Sequence, residues 1–435
     1  MKRYNFFLLF FLFVSTSFAF INPPDSLNES LIQTFKNLPD VEEVTQLEGD
    51  SQYPHVYEIM IRQPLDHLNP NRNFFLQRIY VAHLDFDKPV VFESDGYAVN
   101  KYRINELSQI FNANEILVEH RYFGKSKPDS LTWKYLNSEQ IAADLHHIVA
   151  VFKNIYKGKW IGTGRSKGGQ TTLFFRYYYP DDMNATVAYV APINLKQENK
   201  NINKFISSEA GTKECREKIN NFQIAVLGKR KELLPMFRKY SAEKNYYFPI
   251  GEEKAFEFGV LEYPYSFWQE GKSSCDSIPS GKNIPAEKLF HELTKVVDFG
   301  YYTDKEIKYY YPLFYQSFTE LGYYNFRYNS KKVLSLLKKV KDPSNKIFAP
   351  PDVKIKYNPD VIHNIVKWVQ TKAKNIIFIE GGNDPWSMGA NINLTGQTNC
   401  RMFIKKNGNH YVKILEFPDE TRDKIISLIK SWIAE

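Results

Sequence analysis

The sequence predicts an α/β protein whose parallel sheet is interrupted by a helical insertion. Three observations point there. Short buried-strand patterns alternate with amphipathic helices up to residue 195, residues 196–355 carry Lys-rich helical patterns without a convincing buried strand, and the alternation resumes over 356–435. With 435 residues, 43% hydrophobic and 24% charged, the chain can bury a sizeable core unaided, and a disordered or collagen-like protein is excluded. The net charge of +8 is mild and no Lys/Arg-rich block stands out, so nucleic acid is not implied as a partner.

The elements follow in order. Lys2 and Arg3, the apolar run 6–14 and the small residues of Ser17-Phe18-Ala19 read as a secretory signal over 1–19. Nine apolar residues fall short of the ~20 that span a bilayer. The mature protein is therefore expected to be soluble and exported, secreted or periplasmic, with no membrane insertion. The first part of the α/β domain, 20–195, begins with a polar lead-in. Strands are predicted at 56–62 and 74–82, joined by the turn-rich Asp66-His67-Leu68-Asn69-Pro70-Asn71, then at 90–92 and 116–118. Apolar residues at 141, 145, 148, 149, 152 and 155 mark a helix. A short strand at Trp160-Ile161, a Gly-rich turn, a helix from Gln170 to about Pro180 and a strand over 185–193 complete this part.

The insertion, 196–355, holds thirteen Phe or Tyr within residues 299–328. Chain-wide usage of 16% would place about five there, so these rings form either a packed helical core or a ring-lined cover over a cleft, and the two are compatible. The second part of the α/β domain, 356–435, has a helix at 361–369, strands at 376–379 and 401–404, and a closing helix at 423–433. Three cysteines, with no CxxC or clustered Cys/His spacing, suggest no metal site. Export permits a disulfide. Cys215 and Cys275 are near enough in sequence to share a subdomain, with Cys400 left over; other pairings or three free thiols remain open.

Gly164-Arg165-Ser166-Lys167-Gly168 is a G-x-S-x-G motif between a predicted strand and a predicted helix, the setting of the nucleophile turn in α/β-hydrolases. That fold supplies its triad in the order Ser, acid, His. Of the three histidines after Ser166, His291 lies in the insertion and His363 in a helix pattern. His410 follows a strand in the turn Asn407-Gly408-Asn409, where a loop-borne base belongs. Asp384, just past the strand at 376–379, is the orienting acid; Glu380 competes but sits at the strand end, and Asp360 reads as a helix start. The oxyanion hole is expected from the backbone N–H of Lys167 and one from the loop after 90–93, at Gly96 or Tyr97, with the Tyr97 hydroxyl as another option. The hydrolase turn points the Lys167 side chain away from Ser166 Oγ, which speaks against a Ser–Lys dyad. No cofactor is required.

Together these segments resemble a known family. Gln63-Pro64-Leu65-Asp66-His67, Gln77-Arg78, Glu119-His120-Arg121-Tyr122-Phe123-Gly124-Lys125-Ser126, Tyr135-Leu136-Asn137-Ser138-Glu139-Gln140, Asp144-Leu145, Phe267-Trp268-Gln269 and Asp384-Pro385-Trp386 are similar to the Pro-X carboxypeptidase and dipeptidyl peptidase family of serine peptidases. Thr163 through Gly169, Tyr179-Pro180-Asp181-Asp182 and Val187-Ala188-Tyr189-Val190-Ala191-Pro192 resemble more closely the related secreted bacterial tripeptidyl aminopeptidases. The resemblance spans nearly the whole mature chain. It implies an α/β-hydrolase fold with a helical lid between serine and aspartate, and exopeptidase action with preference for cleavage after proline. Lys167 after the serine follows the tripeptidyl branch, and Gly-Asn-His-Tyr around His410 departs from the Pro-X branch.

The leading hypothesis is a secreted serine exopeptidase that releases tripeptides or dipeptides from peptide N-termini. A Pro-X carboxypeptidase-type peptidase and a carboxylester hydrolase of the same fold are the alternatives, and a non-catalytic binding protein is disfavoured because no triad member is missing. An aminopeptidase needs an anion for the substrate ammonium, for which Glu93, Asp95 and Glu119 are expected near the catalytic edge. Glu119 has a competing structural reading, pairing with Arg121 or a neighbouring strand. Tyr97, Trp268 and Trp386 are the ring candidates for a proline slot.

Overall fold

The computed structural model describes residues 26–327 and 329–434; the expected signal at 1–19 lies outside them. Nine strands form one sheet: β1 (Val41–Leu47), β2 (His55–Pro64), β3 (Phe74–His83), β4 (Val90–Ser94), β5 (Asn114–Val118), β6 (Trp160–Arg165), β7 (Ala185–Tyr189), β8 (Ile376–Gly381) and β9 (Arg401–Lys405). Their order is β1-β2-β3-β5-β4-β6-β7-β8-β9. The β1–β2, β2–β3 and β3–β5 pairs are antiparallel, and every pairing from β5 onward is parallel. With the crossover of β4 and β5 and helices on both faces, this is the α/β-hydrolase fold.

The helices are α1 (Ser26–Lys36), α2 (Glu106–Phe111), α3 (Ser138–Phe152), α4 (Lys167–Tyr178), α5 (Lys200–Ser208), α6 (Lys213–Gly228), α7 (Arg230–Glu243), α8 (Glu252–Glu270), α9 (Ala286–Val296), α10 (Asp304–Tyr309), α11 (Tyr311–Gln316), α12 (Lys331–Ser335), α13 (Asp360–Thr371), α14 (Pro385–Gly389) and α15 (Asp419–Ala434). Strand alternation sorts the core between the faces. Val90 and Phe92 pack with Leu145, Ile148 and Phe152 of α3, whereas Val91 packs with Leu107 of α2 and Ile425 and Ile429 of α15. Likewise Ile376 and Phe378 meet Ile365 and Val369 of α13, while Ile377 and Ile379 join the α15 side. Burial on both faces is why the central strands read as continuous apolar runs.

Three local readings are corrected. The polar lead-in contains α1 and β1; β1 is an edge strand with only partly buried residues and exposed Glu42 and Glu43, so it lacks a buried pattern. Helix α2 is a further element that the sequence expectation lacks. Helix α4 starts at Lys167 rather than Gln170, because the Gln170 N–H already bonds the Ser166 carbonyl at 3.0 Å.

Between β7 and β8 the chain runs through α5–α12, and no strand forms there among the described residues. Rings dominate its core, with Phe256, Phe258, Phe299, Tyr302, Phe314 and Phe326 each 0–1% exposed. Cys215, in the first turn of α6, is joined to Cys275 after α8, with Cα atoms 5.3 Å apart; Cys400 is a buried free thiol. No helix among the described residues is long and apolar enough to cross a membrane.

A buried ion pair fastens α3 to the loop after β5. Arg121 Nε and Nη2 each donate to the Asp144 carboxylate at 2.6 Å, and Nη1 donates to the Tyr135 carbonyl at 2.7 Å. Removing one partner of such a pair strands a buried charge, so Asp144→Ala is expected to cost about 3–5 kcal/mol of stability. Urea unfolding of the two proteins checks this.

Candidate active site

The parallel strands deliver the candidate residues to one edge of the sheet, at their C-terminal ends. Between β6 and α4, Ser166 is held at φ 56°, ψ −122°, a conformation rare for a residue with a side chain. Its N–H donates to the Tyr189 carbonyl at 2.9 Å. The flanking glycines are sterically required: a Cβ on Gly164 would lie 2.3 Å from the Gly168 carbonyl oxygen, and one on Gly168 would lie 2.2 Å from that of Ser94. The motif is thus a close approach of β4, β6 and α4 that pushes Ser166 out at the turn.

Asp384 follows β8 as the N-cap of α14 and is fully buried. Its Oδ2 accepts the Ser387 N–H at 3.0 Å, the Ser387 hydroxyl at 2.7 Å and His410 Nδ1–H at 2.9 Å. Those bonds fix the carboxylate and orient the imidazole, leaving Nε2 as the basic nitrogen. Ser166 and His410 line one cavity of about 410 Å³, a size suited to a small ligand or a short peptide. Glu380 bonds no histidine; burial pushes its carboxyl well above the usual range, with nearby Asp384 adding to the shift.

The loop carrying His410 is braced from two sides. Arg165 donates to the His410 carbonyl at 2.7 Å and to that of Val412 at 2.9 Å. From α8, the Gln269 carbonyl accepts the His410 N–H at 3.2 Å, and the Glu270 carbonyl accepts Asn409 Nδ2–H at 3.3 Å. Gln269 Oε1 also accepts the Trp386 indole N–H at 2.7 Å.

Lys167 Nζ donates to the Gly96 carbonyl at 2.9 Å and to His120 Nε2 at 2.8 Å, beneath the rings of Tyr97 and Phe123. Burial holds its ammonium pKa well below the ordinary lysine value. Because C=O and N–H of one trans peptide point opposite ways, holding the Gly96 carbonyl aims the Tyr97 N–H away from Lys167. That N–H donates to Asp95 Oδ1 at 3.2 Å, a bond that an incoming oxyanion must displace or share. Gly96, at φ 89°, lies against α4, where a Cβ would come within 2.5 Å of the Gly168 nitrogen. Of these two loop residues, Tyr97 lines the cavity. Lys167→Met should let the Gly96–Tyr97 peptide turn, lowering kcat by about tenfold or more, short of the ~10²–10³ lost with an oxyanion donor, while KM moves little. Steady-state kinetics separates the two effects.

The expected acidic anchors are corrected. Glu93 and Glu119 do not line the cavity. Glu93 is tied to Arg103 and Asn105 beside α2, at 2.7 and 2.8 Å. Glu119 pairs with Arg78 of the neighbouring strand β3, as its structural reading allows, rather than with Arg121, and accepts the N–H groups of Val99, Lys125 and Ser126 at 2.9, 2.8 and 3.0 Å. Both carboxylates are saturated by the fold. Trp386 lines the cavity but Trp268 does not; it packs in the helical core against Phe267. On α8 the residues that reach the cavity are Glu262, Ser266, Gln269 and Glu270, at spacings i, i+4, i+7 and i+8 on one helical face. That periodicity was present in the sequence, and the sequence reading missed it. Among the described residues, no group of three or more His, Cys, Asp or Glu is placed to hold a metal ion.

A family model described as PS-10 peptidase S37 matches residues 44–433. Over 380 residues the chain is 33% identical to the prolyl tri/tetrapeptidyl aminopeptidase of Streptomyces mobaraensis, covering 85% of this chain and 78% of that one. It is 31% identical over 99 residues to human lysosomal Pro-X carboxypeptidase, 20% of each chain. Among solved structures, the proline iminopeptidase of Mycobacterium smegmatis matches with a TM-score of 0.40 and 11% identity, covering 86% of this chain and 99% of that one.

Proposed function

We infer the reaction of this cavity from one premise: the chain belongs to the PS-10 peptidase S37 family and is a serine peptidase. The proposed activity is exopeptidase cleavage that releases tripeptides or dipeptides from a free N-terminus, with preference for the bond after proline. The named activity of the Streptomyces relative supports this reading. The observation that carries the mechanism is the 2.9 Å bond between His410 and Asp384 beside the cavity that also holds Ser166.

In this mechanism Ser166 Oγ attacks the scissile carbonyl while His410 Nε2 takes its proton. Asp384 keeps the other nitrogen protonated and stabilises the imidazolium. The tetrahedral oxyanion is met by the Lys167 N–H and by the Gly96–Tyr97 loop, aided by the N-terminus of α4. Collapse breaks the C–N bond, His410 returns its proton to the leaving amine, and water then hydrolyses the acyl-enzyme by the same route. Residues 196–355 serve as a lid over the cavity, and residues 1–19 direct export.

Mass spectrometry of products from one proline-containing peptide tests the reading. The peptide is offered with free termini, with a blocked N-terminus and with a blocked C-terminus. Release of a tripeptide or dipeptide that stops on N-terminal blocking is expected. Loss of one C-terminal residue, stopped by C-terminal blocking, would replace the reading with a Pro-X carboxypeptidase activity. Hydrolysis of short acyl esters without peptide cleavage would replace it with an esterase.

A further inference from the structure

Beside Ser166 and His410, the cavity is lined by Glu262 of α8 together with Tyr301, Tyr302, Tyr323, Tyr324 and Trp386. The Glu262 carboxylate takes only neutral donors: the Tyr324 hydroxyl at 2.7 Å on Oε2 and the Ser266 hydroxyl at 3.2 Å on Oε1. Among the described residues no Lys or Arg offsets its charge; burial pushes its pKa up to about 8, and Glu270 adds to the shift.

Several other acids of this chain have cationic partners. Glu119 has Arg78 and three backbone N–H groups. Asp144 has Arg121. Glu257 has Arg230 and the N–H groups of Lys338, Lys339 and Val340. Glu320 and Glu380 are also pushed up by burial, but neither lines the cavity. Glu262 is therefore a carboxyl without a cationic partner that faces the space where substrate sits, held toward its neutral form until a cation arrives. Such a group destabilises the empty protein and becomes favourable only when a cation arrives. Its surroundings suit an ammonium: free lone pairs on both oxygens accept N–H donors, and the neighbouring rings offer electron-rich faces.

We propose that Glu262 binds the α-ammonium of the substrate's first residue and thereby measures how many residues lie between that end and the bond presented to Ser166. This rests on the N-terminal exopeptidase reading. A protonated amine ionises the carboxyl and donates to it while the tyrosine wall excludes water, and a blocked N-terminus offers no cation for it to ionise against.

The test compares Ala-Ala-Pro-p-nitroanilide with its N-acetyl form on the wild type, Glu262→Gln and Glu262→Asp. The wild type should favour the free amine by about 10²-fold in kcat/KM. Glu262→Gln should raise KM for the free amine by about tenfold to a hundredfold, with a smaller change in kcat, and bring the two substrates to within a few-fold of each other. Glu262→Asp keeps the charge on a shorter stem, so it should raise KM less and retain the preference. If the Gln variant does not fold, an unchanged KM in the Asp variant overturns the proposal. Wild-type preference retained in Glu262→Gln also overturns it. A wild type that cleaves both forms equally overturns the N-terminal exopeptidase reading itself, an outcome distinguishable before any variant is made.

Discussion

Replacing Ser166 by Ala is expected to abolish peptide turnover, with kcat falling by about 10⁶-fold, and to leave the protein folded. The residue stands at φ 56°, and Ala has the same Cβ in the same conformation, so the variant removes Oγ without changing the strain of the turn. Circular dichroism and urea unfolding should superimpose on the wild type. Ser166→Gly separates the two roles of the position. It is equally inactive, but the glycine backbone adopts this conformation freely, and relief of about 1–3 kcal/mol should outweigh its greater chain entropy when unfolded. A Gly variant less stable than the Ala variant would show that the strain of the turn is smaller than the chain entropy glycine adds. Turnover surviving in either variant would remove Ser166 as the nucleophile.

Asp384→Asn should lower kcat by about 10⁴-fold with little change in KM. The position leaves the amide no harmless orientation. With its oxygen toward His410 the hydrogen bond survives but the charge that stabilises the imidazolium is gone; with its nitrogen there, His410 Nδ1 must become an acceptor and Nε2 carries the proton. Ser387 favours the first orientation, because its N–H and hydroxyl, at 3.0 and 2.7 Å from the same Oδ2 that faces His410, need an oxygen there and the N–H would meet an amide nitrogen that cannot accept it. Glu380→Gln is the matched control. Burial already favours the neutral form of that side chain, so its amide should change kcat only a few-fold. Kinetics on the two variants therefore assigns the acid. Equal losses would mean that the pair acts as a unit.

The α/β rhythm is legible in the sequence where strands are buried on both faces. Each residue of β4, β5, β7 and β8 is buried, so their apolar runs stand out against loops. β1 is illegible for the opposite reason, since its charged side chains face water and only pairing with β2 makes it a strand. Ser166, Asp384 and His410 can be placed at strand ends because local motifs and chain order suffice. That Ser166 and His410 line one cavity, with Asp384 bonded to His410, depends on the parallel register of β6, β8 and their neighbours. Proximity in sequence to the catalytic strands suggests Glu93, Asp95 and Glu119 as ammonium anchors. Arg103 and Arg78 meet those charges instead, and neither partnership has a local signature. Glu262 lies about a hundred residues past the serine motif and becomes relevant only when α8 is folded over the sheet edge.

The bonds between α8 and the His410 loop have a consequence for protein engineering. Gln269 and Glu270 belong to the segment between β7 and β8, yet the first holds the His410 backbone N–H and the second the Asn409 side chain in the turn that carries the imidazole. That segment cannot be exchanged as a free cassette to alter selectivity. A chimaera that imports a relative's α8 imports the scaffold of the base as well, and unless its end presents equivalent carbonyls to His410 and Asn409, it should arrive with a new cavity and a slower proton transfer.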